Sequence, residues 1–234
     1  MTTVETDLYF QQVPVGEMAN LAYLIGSRSS REAVIVDPAW SVDALLDRAE
    51  ADGMSVVGAL ATHYHQDHVG GEIFGHTIEG LGRLLARQPV PIHVHREEAR
   101  GLCKITGASE SDLAVHESGD CLTLGGVVIR LLHTPGHTPG SQCFLVETPG
   151  APGRLVSGDT LFLGSCGRVD LPGSDPEAMF DSLHNKLAKL PDETLLYPGH
   201  MYSPEPSGTL GSQKTSNPYL RVTELSNFLT LLGA

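Results

Sequence analysis

Thr62-His63-Tyr64-His65-Gln66-Asp67-His68 sets three imidazoles and a carboxylate within six residues, in the pattern H-x-H-x-D-H. Ahead of it lies Val56-Val57-Gly58-Ala59-Leu60-Ala61, an apolar run that reads as a buried strand. Side chains spaced by two at a strand end share a face, and adjacent ones diverge as the chain turns. The stretch can therefore serve two neighbouring points in space. Imidazole plus carboxylate suits zinc, iron or manganese without any thiolate. A metal-ligand cluster at a strand end is the organising expectation, and the remaining question is what completes it.

Upstream, Leu8-Tyr9-Phe10-Gln11-Gln12-Val13, Ala22-Tyr23-Leu24-Ile25 and Ala33-Val34-Ile35-Val36 read as a hairpin or short meander, with a turn at Gly26 to Ser30. Asp37-Pro38 ends the third strand, because proline cannot continue a ladder. Asp37 either reaches the metal site from that end or caps the turn. Ser41 is placed as an N-cap, with Val42, Leu45, Leu46 and Ala49 forming a helical stripe that stops at Gly53. Downstream, Ile78, Leu81, Leu84 and Leu85 predict a short helix, Pro91 to Val94 a strand, and Glu97 to Leu102 another helix. His93 and His95 repeat the H-x-H spacing, but no carboxylate follows, and ordinary unligated histidines are expected there. His76 and His116 read as surface or loop residues, and His133 as a strand-end or supporting residue.

From Ala114 to Val146 the pattern predicts consecutive antiparallel strands, and Arg154 to Ser157 one more. Pro176 opens an amphipathic helix carrying Ala178, Met179, Leu183, Leu187 and Leu190. Thr194 to Tyr197 is a last strand, and Asn217-Pro218 leads into a C-terminal helix through Leu231. Two β-rich halves, joined near Leu113, predict two sheets covered by helices. No linker, low-complexity tract or short repeat divides residues 1–234, so a single domain is expected.

Composition narrows the function classes. With 234 residues, 41% hydrophobic and 18% charged, the chain has the make-up of an ordinary globular protein. Fifteen basic against 28 acidic side chains give a net charge of −13, which repels phosphate backbones and excludes nucleic acid as the expected partner. No apolar run is long enough to span a membrane. The start, Met1 to Asp7, has neither a basic nor an apolar leader segment, so secretion is not expected. Cys103, Cys121, Cys143 and Cys166 show no paired spacing and read as reduced thiols of a cytoplasmic protein.

Three further segments place a ligand-type side chain at a strand end beside glycine. They are His137 in Pro135-Gly136-His137-Thr138-Pro139-Gly140, Asp159 in Ser157-Gly158-Asp159-Thr160, and His200 in Tyr197-Pro198-Gly199-His200. Each glycine permits a tight turn that aims the next side chain inward. One such segment means little; four at strand ends are hard to explain by packing.

With these motifs in order, from Asp37 through His63-x-His65-x-Asp67-His68 to His137, Asp159 and His200, nearly the whole chain resembles the metallo-β-lactamase-fold hydrolases. The resemblance implies an α/β fold, a four-layered αβ/βα sandwich with a binuclear centre on one edge between the sheets. It implies two divalent metal ions, zinc in the first place with iron or manganese as alternatives. His63, His65 and His137 would hold one, Asp67, His68 and His200 the other. Asp159 would bridge them, and Asp37 would support. The implied chemistry is attack by a metal-held hydroxide on a carbonyl carbon, with Asp67 orienting it and handling its proton.

Within that fold the chain is most similar to glyoxalase II-like enzymes, on Ser157 to Phe162, Cys166-Gly167-Arg168, Tyr197 to Tyr202, Gly208 to Gly211 and Asn217 to Leu220. That similarity implies hydrolysis of a small-molecule thioester of the S-hydroxyacylglutathione type, with Arg168 and Tyr202 as substrate contacts or else ordinary surface loop residues. The long-form helical domain that grips glutathione carboxylates has no counterpart here, and the family's second tyrosine is Asp170. Gly164 to Asp170 also resembles persulfide dioxygenases of the same fold, which use one iron at positions matching His63, His137 and Asp159. Cleavage of β-lactams or of other esters and amides is a weaker alternative.

Overall fold

The computed structural model describes residues 7–233, and there the apolar alternation resolves into two six-stranded sheets. All but one residue of the Met1 to Asp7 start, where no leader is expected, lies outside the described residues. The first half runs β1 (Leu8–Val15), β2 (Asn20–Ser27), β3 (Glu32–Val36), α1 (Val42–Ala51), β4 (Ser55–Leu60), α2 (Gln66–Val69), β5 (Gly71–Ile73), β6 (His76–Ile78), α3 (Gly80–Arg87), β7 (Ile92–His95), α4 (Arg96–Thr106) and β8 (Leu113–His116). The second runs β9 (Cys121–Leu124), β10 (Val127–His133), β11 (Gln142–Glu147), β12 (Arg154–Gly158), β13 (Leu161–Phe162), β14 (Ser165–Cys166), α5 (Pro176–Asp181), β15 (Leu195–Pro198), β16 (Gly208–Thr209), α6 (Leu210–Ser216), α7 (Pro218–Arg221) and α8 (Leu225–Leu232).

Strand order is β1-β2-β3-β4-β7-β8 in the first sheet and β16-β15-β12-β11-β10-β9 in the second. The strands beside the site, β3 with β4 and β12 with β15, pair in parallel, so their C-terminal ends emerge at the same edge. Each central strand is buried on both faces and therefore reads as one apolar run. In β2, Leu21, Tyr23 and Ile25 meet Phe144, Val146 and Val156 of the second sheet, while Ala22 and Leu24 meet Val42, Leu45 and Leu81 of the helices. Cys143, Leu145 and Leu155 turn the other way, onto Met179, Leu183 and Phe228. Three core layers thus separate four structural layers, the expected αβ/βα sandwich. Phe144 is fully buried between the sheets. Truncation of such a ring costs about 3–5 kcal/mol, so this layer contributes strongly to how the two sheets pack.

Four local expectations are corrected. β8 pairs in parallel with β7 and ends the first sheet, so the halves divide after His116 and β8 is not an antiparallel neighbour of β9. Ser41 precedes α1 but adopts φ +52° and makes no side-chain cap; the Glu79 carboxylate accepts from Val42 N at 2.6 Å instead. The helix from Pro176 passes through a π turn at Ser182–Lys186 and a 3-10 turn at Leu187–Lys189. The C-terminal helix is broken: Val222 is extended after α7, and the chain restarts at α8.

Candidate metal centre

Every candidate ligand sits where a strand ends. His63 and His65 follow β4, Asp67 and His68 lie on the single turn α2, and His137 lies in the β10–β11 loop. Asp159 follows β12 and His200 follows β15. Two glycines earn their place by measurable constraints. Gly158 has φ +49°, and a Cβ there would stand 2.7 Å from the Thr62 side chain; a Cβ on Gly199 would stand 2.5 Å from Asp159 Oδ1.

The ligand-capable atoms of His63, His65 and His137 lie within 4.8 Å of one another, as do those of Asp67, His68 and His200, and those of His63, His68 and Asp159. Asp159 lies between the halves: its Oδ2 is 3.7 Å from His137 Nε2 and 3.4 Å from His200 Nε2, and its Oδ1 is 3.4 Å from His68 Nε2. His63 Nε2 and Asp159 Oδ1 are buried without a hydrogen-bond partner. Leaving such atoms unpaired costs about 1–3 kcal/mol each. A cation satisfies both, so the residues present fit the metal pair.

The rings are aimed by what their other nitrogens do. His137 Nδ1 donates to Arg168 O at 2.8 Å, His200 Nδ1 to Met18 O at 2.9 Å, and His68 Nδ1 to Asp37 Oδ2 at 3.0 Å. Thr62 Oγ1 donates to Asp37 Oδ2 at 2.6 Å, which leaves it to accept from His63 Nδ1 at 3.0 Å. These four histidines therefore turn Nε2 inward, toward the cluster. His65 differs: its Nδ1 is the inward atom, 3.0 Å from His137 Nε2. Asp37 thus supports His68 and Thr62 rather than joining the cluster. Its φ of +50° is an uncommon conformation that Asp tolerates better than most residues.

The two halves differ in charge. Burial and the surrounding imidazoles hold His63 well below the ordinary histidine value, and burial brings His65 down to about 4 and lowers His137. Burial opposes charge on His68 too, but the carboxylates of Asp67, Asp159 and Asp37 outweigh it and raise it to about 9. His200 is likewise raised to about 10 by Asp159 and Asp67 against its burial. The Asp67 and Asp159 carboxyls are held below the usual range, because those imidazoles outweigh the cost of burying the acids.

Support came from residues that local reading missed. Asn20 Nδ2 donates to Asp67 Oδ2 and to Asp67 O, both at 3.0 Å, and Trp40 Nε1 donates to Asp67 O at 3.1 Å. Neither carries a sequence signal, since each depends on a remote segment arriving. At the mouth, Arg168 is exposed and grips Asp170 with two 2.9 Å bonds, while the Tyr202 ring stacks on His200 at 4.7 Å. The second H-x-H pair lies away from the centre: His93 Nδ1 is 2.9 Å from His116 Nε2, and His95 stacks on His133. His76 is exposed on β6.

The chain is similar to known proteins over most of its length. The model of the metallo-beta-lactamase superfamily matches residues 15–200. A mitochondrial persulfide dioxygenase of Homo sapiens is 30% identical over 218 residues, covering 90% of this chain and 75% of that protein. A hydroxyacylglutathione hydrolase of Dictyostelium discoideum is 31% identical over 189 residues, covering 79% of this chain and 63% of that protein. A crystal structure of TTHA1623 in a di-iron-bound form superposes with a TM-score of 0.71 at 33% identity, covering 90% of this chain and 100% of that one. Among the described residues no helix is long and apolar enough to cross a membrane.

Proposed function

Since the chain belongs to the metallo-beta-lactamase superfamily, a family of metal-dependent enzymes, we propose that it is a binuclear hydrolase that cleaves small-molecule thioesters of the S-hydroxyacylglutathione type. The observation that carries the reading is the second cluster: Asp67, His68 and His200 converge as closely as His63, His65 and His137 do. A two-metal reaction would use both clusters, and a one-iron reaction would leave the second unused. The three imidazoles would hold the first ion and the Asp67 cluster the second, with Asp159 placed between the two clusters. The all-nitrogen and oxygen donor set favours zinc, with iron or manganese as the alternatives.

When bound, the ions supply Lewis acidity, which polarises a carbonyl oxygen and makes water acidic enough to ionise near neutral pH. The chain does the rest. Asn20 and Trp40 fix the Asp67 backbone and Oδ2, which holds the Asp67 carboxylate in place to orient the attacking water and take its proton. Arg168 and Tyr202 flank the entrance and meet the substrate's remote end. A thiolate is a good leaving group and departs without needing a proton donor.

Oxidation of a persulfide by one iron is the second reading, favoured by the similarity to the human persulfide dioxygenase and by the 3.7 Å approach of His137 to Asp159. Metal analysis of protein expressed without added metal, with two assays, separates them. Two metals per chain and cleavage of S-lactoylglutathione are expected. One iron per chain, with oxygen uptake on glutathione persulfide and no thioester cleavage, overturns the hydrolase reading.

A further inference from the structure

Glu98 is fully buried, yet among the described residues no cation pairs with it. Its carboxylate instead accepts from three neutral donors: Tyr64 N at 2.7 Å on Oε2, and Thr138 Oγ1 at 2.6 Å and Gly140 N at 2.7 Å on Oε1. Tyr64 lies between His63 and His65, in the loop that leaves the first sheet. Thr138 and Gly140 follow His137, in the loop that joins β10 to β11 of the second. One carboxylate therefore spans the two sheets directly behind the three imidazoles.

Both loops press on the first turns of α4. A Cβ on Gly140 would stand 2.7 Å from Glu98 N and Cγ, and a Cβ on Gly101 would stand 2.8 Å from the Tyr64 ring. The carboxylate sits at the positive end of an eleven-residue helix, which favours a charge otherwise expensive at such depth. Even so, burial raises its carboxyl to about 7 against the pull of its three donors. An apolar residue fills that space without a charge to bury, but leaves three donors unpaired and the two loops untied.

We propose that Glu98 is a positioning residue for the three-imidazole half: by tying the 63–65 loop to the 137–140 loop, it fixes the spacing of His63, His65 and His137 before metal arrives and so sets that half's metal affinity. This rests on the two-metal reading of the site. A Glu98→Gln side chain keeps an oxygen for Thr138 and Gly140 but turns an NH₂ group toward Tyr64 N–H, cutting only the first-sheet arm. Glu98→Ala cuts both.

The test is titration of the metal-free full-length protein with cobalt(II) alone, followed by visible absorption, with His137→Ala identifying the band of the three-imidazole half. Partners behind metal ligands are worth about 10- to 100-fold in affinity. That loss is expected for this band in Glu98→Ala, with a smaller loss in Glu98→Gln and the other half's affinity unchanged in both. If Glu98→Ala does not fold, Glu98→Gln carries the test. Variants that melt earlier but bind both cobalt ions as tightly as wild type overturn the proposal and leave the two-metal reading standing. Wild-type protein that binds no cobalt, or whose first band survives His137→Ala, overturns the two-metal reading and this proposal with it.

Discussion

The His63/His65/His137 half and the Asp67/His68/His200 half occupy the same sheet edge but differ in protonation: the first is held neutral, and the second favours charged imidazoles beside carboxylates. In the first, burial keeps the imidazoles neutral, so their lone pairs are ready for a cation. In the second, the neighbouring carboxylates favour protons on the imidazoles, raising His68 to about 9 and His200 to about 10. A cation entering there displaces those protons. The difference teaches that two clusters a few ångströms apart would take up a cation against different opposition, desolvation in one and bound protons in the other.

The largest expected effect is at the residue the halves share. Asp159→Ala removes the carboxylate within reach of both, and activity should fall by more than the roughly 10- to 100-fold typical of an outer partner. Circular dichroism should show the fold retained; retained activity breaks the assignment of Asp159 as the shared group. Next come the single-half variants. His137→Ala and His200→Ala should each lose one metal equivalent by mass spectrometry, and loss of both from either variant would mean that the halves do not fill independently. Asp37→Asn keeps a side chain that tolerates its φ of +50° but removes the carboxylate behind His68. It should weaken only the carboxylate-rich half, by about 10- to 100-fold, measured by chelator competition.

Proton displacement gives a pH signature. His68 and His200 are raised above the ordinary value, so their contribution to metal-free stability is full below about 6.5 and is lost as pH rises through about 9 and 10. His63 and His65 are depressed, so their contribution is present above about 6.5 and is lost as pH falls toward about 4. The rise in melting temperature on adding zinc should therefore grow between pH 6.5 and 9. A rise that is flat across that window would show that the second half sheds no protons on loading. The smallest effect belongs to the rim. Arg168 and Asp170 are both 68% exposed, and solvent screens such a pair. Asp170→Asn should free the guanidinium and lower KM for a carboxylate-bearing thioester by at most about fivefold, leaving kcat unchanged; an unchanged KM would remove Arg168 from substrate binding.

The ligand positions were legible because each is marked locally. H-x-H-x-D-H follows an apolar strand, and His137, Asp159 and His200 each stand beside a glycine in a turn. Their supports carry no such mark. Glu98 and Glu97 are adjacent acids at a helix start, and only burial separates them: one is enclosed under two loops and the other is exposed. Asn20 opens a strand like any polar residue, yet its amide meets Asp67 from 47 positions away. Ser41 shows the reverse error. It has the right residue type for a cap, but its φ of +52° takes the hydroxyl away and Glu79 from a distant turn replaces it.

By itself the sequence determined the alternation that makes two sheets, the helices that cover them and the residue types able to hold metal, because these follow from local periodicity and from donor chemistry. Only the tertiary structure decided that β8 joins the first sheet, which carboxylate supports a ring and which lies between the two clusters, and that Glu98 is buried against both ligand loops. Those outcomes depend on distances between segments far apart in the chain, and no local pattern encodes a distance. The H-x-H-x-D-H stretch supplies ligand-type side chains to two neighbouring clusters, and packing of the two sheets brings His137, Asp159 and His200 beside them.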